Sequence, residues 1–224
     1  MCTLLFRHRP GDPHPLALLS NRDEQFERPS SGWSWREGPP RLFAPLDEKA
    51  GGTWIGMSAS GIVAALTNVF PPLKDGVYYS RGSLVIEMLA LRSASKARRK
   101  VRALLDKHDI NKFNLLVADG TTAMMFSYDG RGLWEARLEP GVYQVGNDPW
   151  SGNKLDSGDG PNARWMEDHK SQLTQHPDIC KHGDKYGTRS SSIILLNGLT
   201  PAESIIWHLE GYPCQSTYRQ ILGA

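Results

Sequence analysis

Cysteine is scarce in these 224 residues: only Cys2, Cys180 and Cys214, an odd count with no Cys-x-x-Cys. That pattern speaks against a disulfide framework and against a structural zinc site, and it points to a reducing compartment, the cytoplasm. No apolar run approaches the roughly 18 residues a membrane-spanning helix needs. The start of the chain carries neither a long apolar segment nor a small-residue cleavage site, so no signal peptide is expected. Charge of one sign is also missing. With 26 basic and 24 acidic residues the net charge is +2, too little for an electrostatic nucleic-acid binder. No repeat and no linker composition breaks the chain, so residues 1–224 read as one domain, long enough to bury a core without staples.

What is there begins with two short apolar runs, Thr3–Phe6 and Leu16–Leu19, separated by the turn-rich segment from Arg7 to Pro15. They read as a hairpin with a wide loop. His8 and His14 flank that loop and are expected to be solvated. Directly after the second run stands Asn21-Arg22-Asp23-Glu24. Charges leaving a buried strand need partners. Pairing of the two runs brings Asp23 toward the start of the chain, where Cys2 sits.

Phe26 to Glu48 shows no period and reads as a long structured loop, anchored by Trp33 and Trp35. Gly51–Met57 and Ile62–Thr67 are near-continuously apolar, as strands buried on both faces are. Two helices are predicted, Ser83–Leu91 with Ser83 as cap, and Ser95–His108 with a basic, solvated face of Lys96, Arg98, Arg99, Lys100 and Arg102. Four strands of a meander follow: Phe113–Ala118, Thr121–Ser127, Leu133–Leu138 and Val142–Val145. The turns Asp119-Gly120 and Asp129-Gly130 punctuate them. A helix over Pro161–Leu173, strands over Ile193–Leu196 and Ile205–Leu209, and an irregular tail from Gly211 complete the order. Segregated helices and antiparallel strands make this an α+β protein, two stacked antiparallel sheets between helical layers.

The chemistry-bearing candidates fall at strand ends. Removal of Met1 would leave Cys2 with a free α-amine, whose ordinary pKa of about 7.7–8.0 suits it to serve as base for its own thiol. Arg22 can lower the thiol by its charge, and Asp23 can hold the amine. Asn68 and Asn147 can donate to an oxyanion, and Arg189 can aim a charge into a cleft. The plainer alternatives are a structural Arg22–Asp23 ion pair, turn asparagines and a surface arginine.

The set of Met1-Cys2, Asn21-Arg22-Asp23-Glu24, Arg28-Pro29, Ala50-Gly51-Gly52-Thr53-Trp54-Ile55-Gly56, Ala64-Ala65-Leu66-Thr67-Asn68, Ser80-Arg81-Gly82, Phe113-Asn114-Leu115-Leu116-Val117, Pro140-Gly141-Val142-Tyr143 and Tyr186-Gly187-Thr188-Arg189-Ser190-Ser191 resembles the NRDE family. Its eukaryotic members are called transport and Golgi organisation proteins. That family in turn is similar to the N-terminal nucleophile hydrolases, which implies a four-layer αββα sandwich of two antiparallel sheets. Among those hydrolases, the cysteine-first amidases that cleave bile-salt and penicillin amides offer a layout. By this resemblance Cys2 falls on the nucleophile, Asp23 on the acid holding its amine, Asn68 and Asn147 on oxyanion-side positions, and Arg189 on an arginine near the thiol. One departure stands out: the arginine those amidases carry three residues before the acid is Ser20 here, and Arg22 is the substitute.

The resemblance implies hydrolysis of a non-peptide amide or a thioester through Cys2, with no cofactor and no metal required. The family has also been connected with haem movement and with lipid or acyl-CoA metabolism. The competing expectation is therefore a binding and trafficking protein carrying haem, an acyl-CoA or a lipid, with His8, His14 or Cys2 as candidate reversible haem ligands. The partner is a small molecule in either case.

Overall fold

The computed structural model describes residues 2–74, 76–152, 154–156 and 179–223. The first hairpin is β1 (Cys2–His8) and β2 (Leu16–Gln25). Their side chains alternate as the pleat requires. Leu4, Phe6, Leu16 and Leu18 enter the main core, while Leu5, Ala17 and Leu19 enter a separate cluster on the opposite face. The strand β2 does not end at Ser20, as its polar turn of composition suggests. It runs on through Asn21–Gln25, because it is hydrogen-bonded on both sides: to β1 with Cys2 opposite Arg22, and to β12 (Tyr186–Leu196) with Thr188 opposite Asp23. Two ladders hold polar residues in extended conformation that composition alone would assign to a loop. The same pairing lengthens β12 well beyond the expected Ile193–Leu196.

The segment read as a long loop forms two further strands, β3 (Ser30–Arg36) and β4 (Leu42–Asp47). β3 is a sheet edge with a register shift between Ser31 and Ser34, which erases the period-two signal. Trp33 packs on Phe43 and donates its Nε1–H to Ser192 Oγ at 3.2 Å, so it plugs the rim between the sheets. Then come β5 (Ile55–Ser58) and β6 (Val63–Asn68), buried on both faces as expected.

Helix α1 (Arg81–Leu89) starts two residues before the expected cap. Ser80 occupies the N-cap and Ser83 lies inside the first turn. A short 3₁₀ turn (Ala94–Lys96) leads into α2 (Ala97–Lys107). The basic face of α2 is solvent-facing and partly paired: Arg98 and Arg102 reach Glu135 at 2.9 and 3.0 Å, and Lys100 reaches Glu87 at 2.6 Å. These exposed pairs contribute little to stability, since water and salt screen them.

β7 (Phe113–Ala118), β8 (Ala123–Tyr128) and β9 (Leu133–Arg137) form the meander, with Asp119 and Asp129 accepting the backbone N–H groups of the turns that follow them. The fourth expected strand, β10 (Gly141–Val145), leaves it and joins the other sheet beside β1. β11 (Lys154–Asp156), β13 (Ile205–Glu210) and β14 (Arg219–Leu222) complete the set, so the tail is not irregular throughout. The expected helix over Pro161–Leu173 lies outside the described residues.

Two antiparallel sheets result, ordered β11-β10-β1-β2-β12-β13-β14 and β3-β4-β5-β6-β7-β8-β9. Their facing surfaces enclose one core built on Phe6, Leu18, Met57 and Met125. The outer face of the second sheet is covered by α1 and α2 through Leu84, Met88, Val101 and Phe126. Each such side chain contributes about 1.5–3 kcal/mol by leaving water.

Candidate active site

Strand alternation sorts the first three candidates. Cys2 and Arg22 are register partners, and both face a cleft of about 420 Å³ at one end of the sandwich. Asp23 is one residue on, so it points to the other face of the same sheet and does not line the cleft. It is buried, and Thr188 Oγ1 donates to its Oδ1 at 2.6 Å. Tyr186 donates to its backbone carbonyl at 2.9 Å. Burial raises the Asp23 carboxyl above its ordinary range, and the Thr188 hydroxyl acts in the opposite direction.

Cys2 is also buried. Burial pushes its thiol above the ordinary value; the Asp23 carboxylate adds to that, while the Asp23 backbone N–H and the Arg22 guanidinium oppose it. The Arg22 guanidinium carbon lies over the Trp54 ring, 4.0 Å from its centroid, and the side chain donates to Ser30 Oγ at 3.2 Å. A planar guanidinium stacked on an indole keeps its edge available to a ligand. By the same register Ser20 lies opposite Leu4, two residues farther from the cleft than Arg22.

The remaining candidates separate. Asn68, at the end of β6, lines the cleft with Cys2 and Arg22. Asn147 does not line it. Its Nδ2 donates to the Asn68 carbonyl at 2.6 Å, and its own carbonyl accepts from the Phe70 N–H at 2.9 Å. It therefore positions Asn68. Arg189 is likewise outside the cleft wall. It sits at a bulge in β12, and its Nη1 donates to the carbonyls of Gln25, Phe26 and Arg28 at 3.2, 2.9 and 2.6 Å. It clamps the turn that delivers Arg28 to the cleft.

Four charged lining residues were not among the sequence candidates. Arg28 is bound to Asp47 through two nitrogens, the shorter contact at 2.5 Å, with Glu24 at 4.0 Å. Arg81, at the start of α1, is half-buried: desolvation lowers its pKa while Cys2 and Glu24 act to raise it. Arg28 and Arg81 stand in sequence motifs quoted above, yet nothing in their spacing announces that they meet Cys2. Tyr78 and Tyr79 add an aromatic wall beside Trp54.

This wall rests on a glycine contact. A Cβ on Gly52 would stand 2.5 Å from the backbone carbon of Gly82 and 2.6 Å from its Cα. Thr53 donates to the Gly82 carbonyl across the same contact at 3.2 Å. Gly52→Ala must push the first turn of α1 outward, taking Arg81 with it. The expected cost is about 1–3 kcal/mol, read as a lower Tm, together with weakened binding of any cleft ligand.

His8 and His14 lie far from this cleft. His8 ends β1 at the pole opposite Cys2 and is 1% exposed, contrary to the solvated loop position expected of it; burial lowers its pKa and favours the neutral ring. Cys180 and Cys214, far apart in sequence, come together: their sulfurs are 3.3 Å apart, with His182 beside both. Burial pushes the Cys180 thiol up to about 11, against the pull of the Cys214 backbone N–H.

Comparison with known proteins fits this arrangement. Residues 1–180 match the family model described as Transport and Golgi organisation 2. The chain belongs to that family. The human Transport and Golgi organization protein 2 homolog is 34% identical over 168 residues, 67% of this chain and 59% of the human protein. The cattle homolog is 28% identical over 88% of this chain and 89% of its own length. The chain thus matches well under two thirds of the human relative's length. Among solved structures, conjugated bile acid hydrolase from Clostridium perfringens, in a variant form, superposes with a TM-score of 0.57 at 10% identity, covering 99% of this chain and 92% of that one. Penicillin V acylase from Agrobacterium tumefaciens gives 0.51 at 11% identity, covering 98% and 84%. At such identities the likeness is one of fold, and the fold is that of the N-terminal nucleophile hydrolases.

Proposed function

We propose that this chain hydrolyses a non-peptide amide or a thioester of a small molecule through Cys2. The observation that carries this reading is the pairing of β1 with β2, which sets the thiol at the cleft, Arg22 beside it and Asp23 behind it. Removal of Met1 exposes the Cys2 α-amine. The amine takes the thiol proton as sulfur attacks the substrate carbonyl, and Asn68 donates to the resulting oxyanion. The ammonium returns the proton to the departing amine or thiol. Water then cleaves the acyl-thioester, releasing the acid and restoring the thiol. Neither a metal nor a cofactor enters these steps. Because burial holds the resting Cys2 protonated, proton transfer belongs to the attack itself. Three guanidiniums, Arg22, Arg28 and Arg81, face two carboxylates, Glu24 and Asp47, so the favoured substrate carries an anionic group. The setting is the reducing cytoplasm, in keeping with three free cysteines.

The test is the intact mass of the purified protein before and after a thiol-reactive probe. Loss of Met1 with rapid labelling confined to Cys2 supports the hydrolase. Retained Met1 with an inert Cys2 sinks it.

One observation favours a second reading, carriage of haem, an acyl-CoA or a lipid. The thiol is buried and raised, while Trp54, Tyr78 and Tyr79 offer an aromatic wall to a bound ligand. No histidine lines the cleft among the described residues, so a haem held there would have Cys2 rather than His8 or His14 on its iron. Saturable haem binding that is lost in Cys2→Ala, without turnover of any amide or thioester, would select the carrier.

A further inference from the structure

Away from the cleft, on the far side of the first sheet, three soft donors converge from two distant segments. The Cys180 and Cys214 sulfurs are 3.3 Å apart, Cys214 is 3.1 Å from His182 Nε2, and Cys180 is 3.6 Å from it. All three ligand atoms lie within 4.8 Å of one another. A tetrahedral zinc with sulfur at about 2.3 Å and nitrogen at about 2.0–2.1 Å would set these edges at roughly 3.5–3.8 Å, a relaxation of a few tenths of an ångström. The imidazole is already oriented, stacked on Tyr212 at 4.0 Å with 20° between planes. The Cys214 backbone N–H is directed at the Cys180 sulfur, where it supports negative charge. Two sulfurs and an imidazole suit zinc in preference to magnesium or calcium, which require oxygen.

We propose that Cys180, His182 and Cys214 bind one zinc ion. Binding forms two Zn–S bonds and one Zn–N bond, and releases both thiol protons to solvent. The fourth position is left to water, since His182 and Cys214 are exposed. The ion ties the 179–182 segment to the C-terminal turn around Cys214. That segment is in turn bound to Asp23: the Lys181 N–H donates to Thr188 Oγ1 at 2.9 Å, Thr188 Oγ1 donates to Asp23 at 2.6 Å, and Asn21 donates to the Ile179 carbonyl at 3.0 Å. Zinc at this place therefore braces the carboxylate from the side opposite the cleft. Zinc binding itself does not depend on whether Cys2 is catalytic.

The experiment is zinc titration of the full chain in the presence of a non-chelating reductant, with metal content measured after gel filtration. Co2+ substitution serves as a spectroscopic report of thiolate ligation. One zinc per chain is expected, with visible bands of tetrahedral thiolate-bound cobalt and a higher Tm in zinc than in chelator. Cys214→Ser, at an exposed position, should lose both the metal and the Tm shift while its circular dichroism stays that of the parent; His182→Ala should weaken both. Cys2→Ser should retain them. No stoichiometric zinc in the reduced protein, or zinc that survives Cys214→Ser but leaves with Cys2→Ser, overturns the proposal.

Discussion

Cys2→Ala is expected to lower hydrolysis by at least about 10³-fold in kcat while leaving the fold and ligand affinity nearly intact. The magnitude follows from what is lost. Without sulfur there is no acyl-enzyme, and only the polarising donors of the cleft remain, which by themselves supply a small remnant of the rate. The fold should tolerate the change. Cys2 is at the end of β1, and its ladder partner Arg22 is held independently by Trp54, Ser30 and the β12 pairing. The measurement is single-turnover cleavage of an anionic thioester or amide, paired with equilibrium binding of the same compound to the variant. Equal kcat in parent and Cys2→Ala would remove the nucleophile from the scheme. A collapse of binding together with rate would show that the thiol serves as a ligand contact, which is the signature of the carrier. Arg22→Gln distinguishes the two further, since a charge that steadies a thiolate acts on kcat and one that grips an anion acts on KM.

How much of this could be read from the residues depends on where each signal resides. The strands Leu16–Leu19, Ile62–Thr67 and Phe113–Ala118 announce themselves because their burial is written into their own apolarity. Arg22 and Asp23 were legible as a pair needing partners, but not as strand residues, because what keeps them extended is a ladder to β12 more than 160 positions away. β3 was invisible for a different reason: an edge strand carrying a bulge and partly exposed tryptophans has no alternation to find. Within the site, Cys2, Arg22 and Asn68 were found by position at strand ends and by family resemblance. Arg28, Asp47 and Arg81 escaped because they are ordinary surface charges until the turn clamped by Arg189 and the Gly52–Gly82 contact bring them together. The Cys180–His182–Cys214 cluster escaped because its members are 34 positions apart and its local Cys-x-His spacing is common in loops.

Asn114→Ala is expected to destabilise the protein by about 2–4 kcal/mol, a fall in Tm of about 5–15 °C for a chain of this size. Asn114 is fully buried in β7 and ties that strand to the Gly146–Trp150 loop that follows β10 in the other sheet. Its Nδ2 lies within hydrogen-bond reach of Thr67 Oγ1, the Gly146 carbonyl and the Asp148 carbonyl at 3.2, 3.3 and 2.9 Å. Its Oδ1 accepts from Ser127 Oγ at 2.7 Å and from the Trp150 N–H at 3.2 Å. Alanine leaves these groups without that amide, and because Thr67, Ser127 and Trp150 are buried, the cost includes desolvation of polar atoms as well as the bonds lost. Four of the five keep a second partner, since Thr67 also donates to the Gly146 carbonyl and Ser127 also accepts from the Trp150 N–H, which bounds the loss from above. The consequence reaches the cleft. The loop from Gly146 to Trp150 carries Asn147, whose amide fixes the Asn68 carbonyl, so loosening the hub should lower kcat below the unfolding range while thiol labelling at Cys2 stays fast. Asn147→Ala separates the two roles: it should reproduce the loss of kcat with a much smaller change in Tm, because Asn147 is only half-buried. A Tm for Asn114→Ala within about 2 °C of the parent would mean that the loop after β10 is held by Trp150 packing against Tyr143 and Trp134, and that the polar hub is incidental.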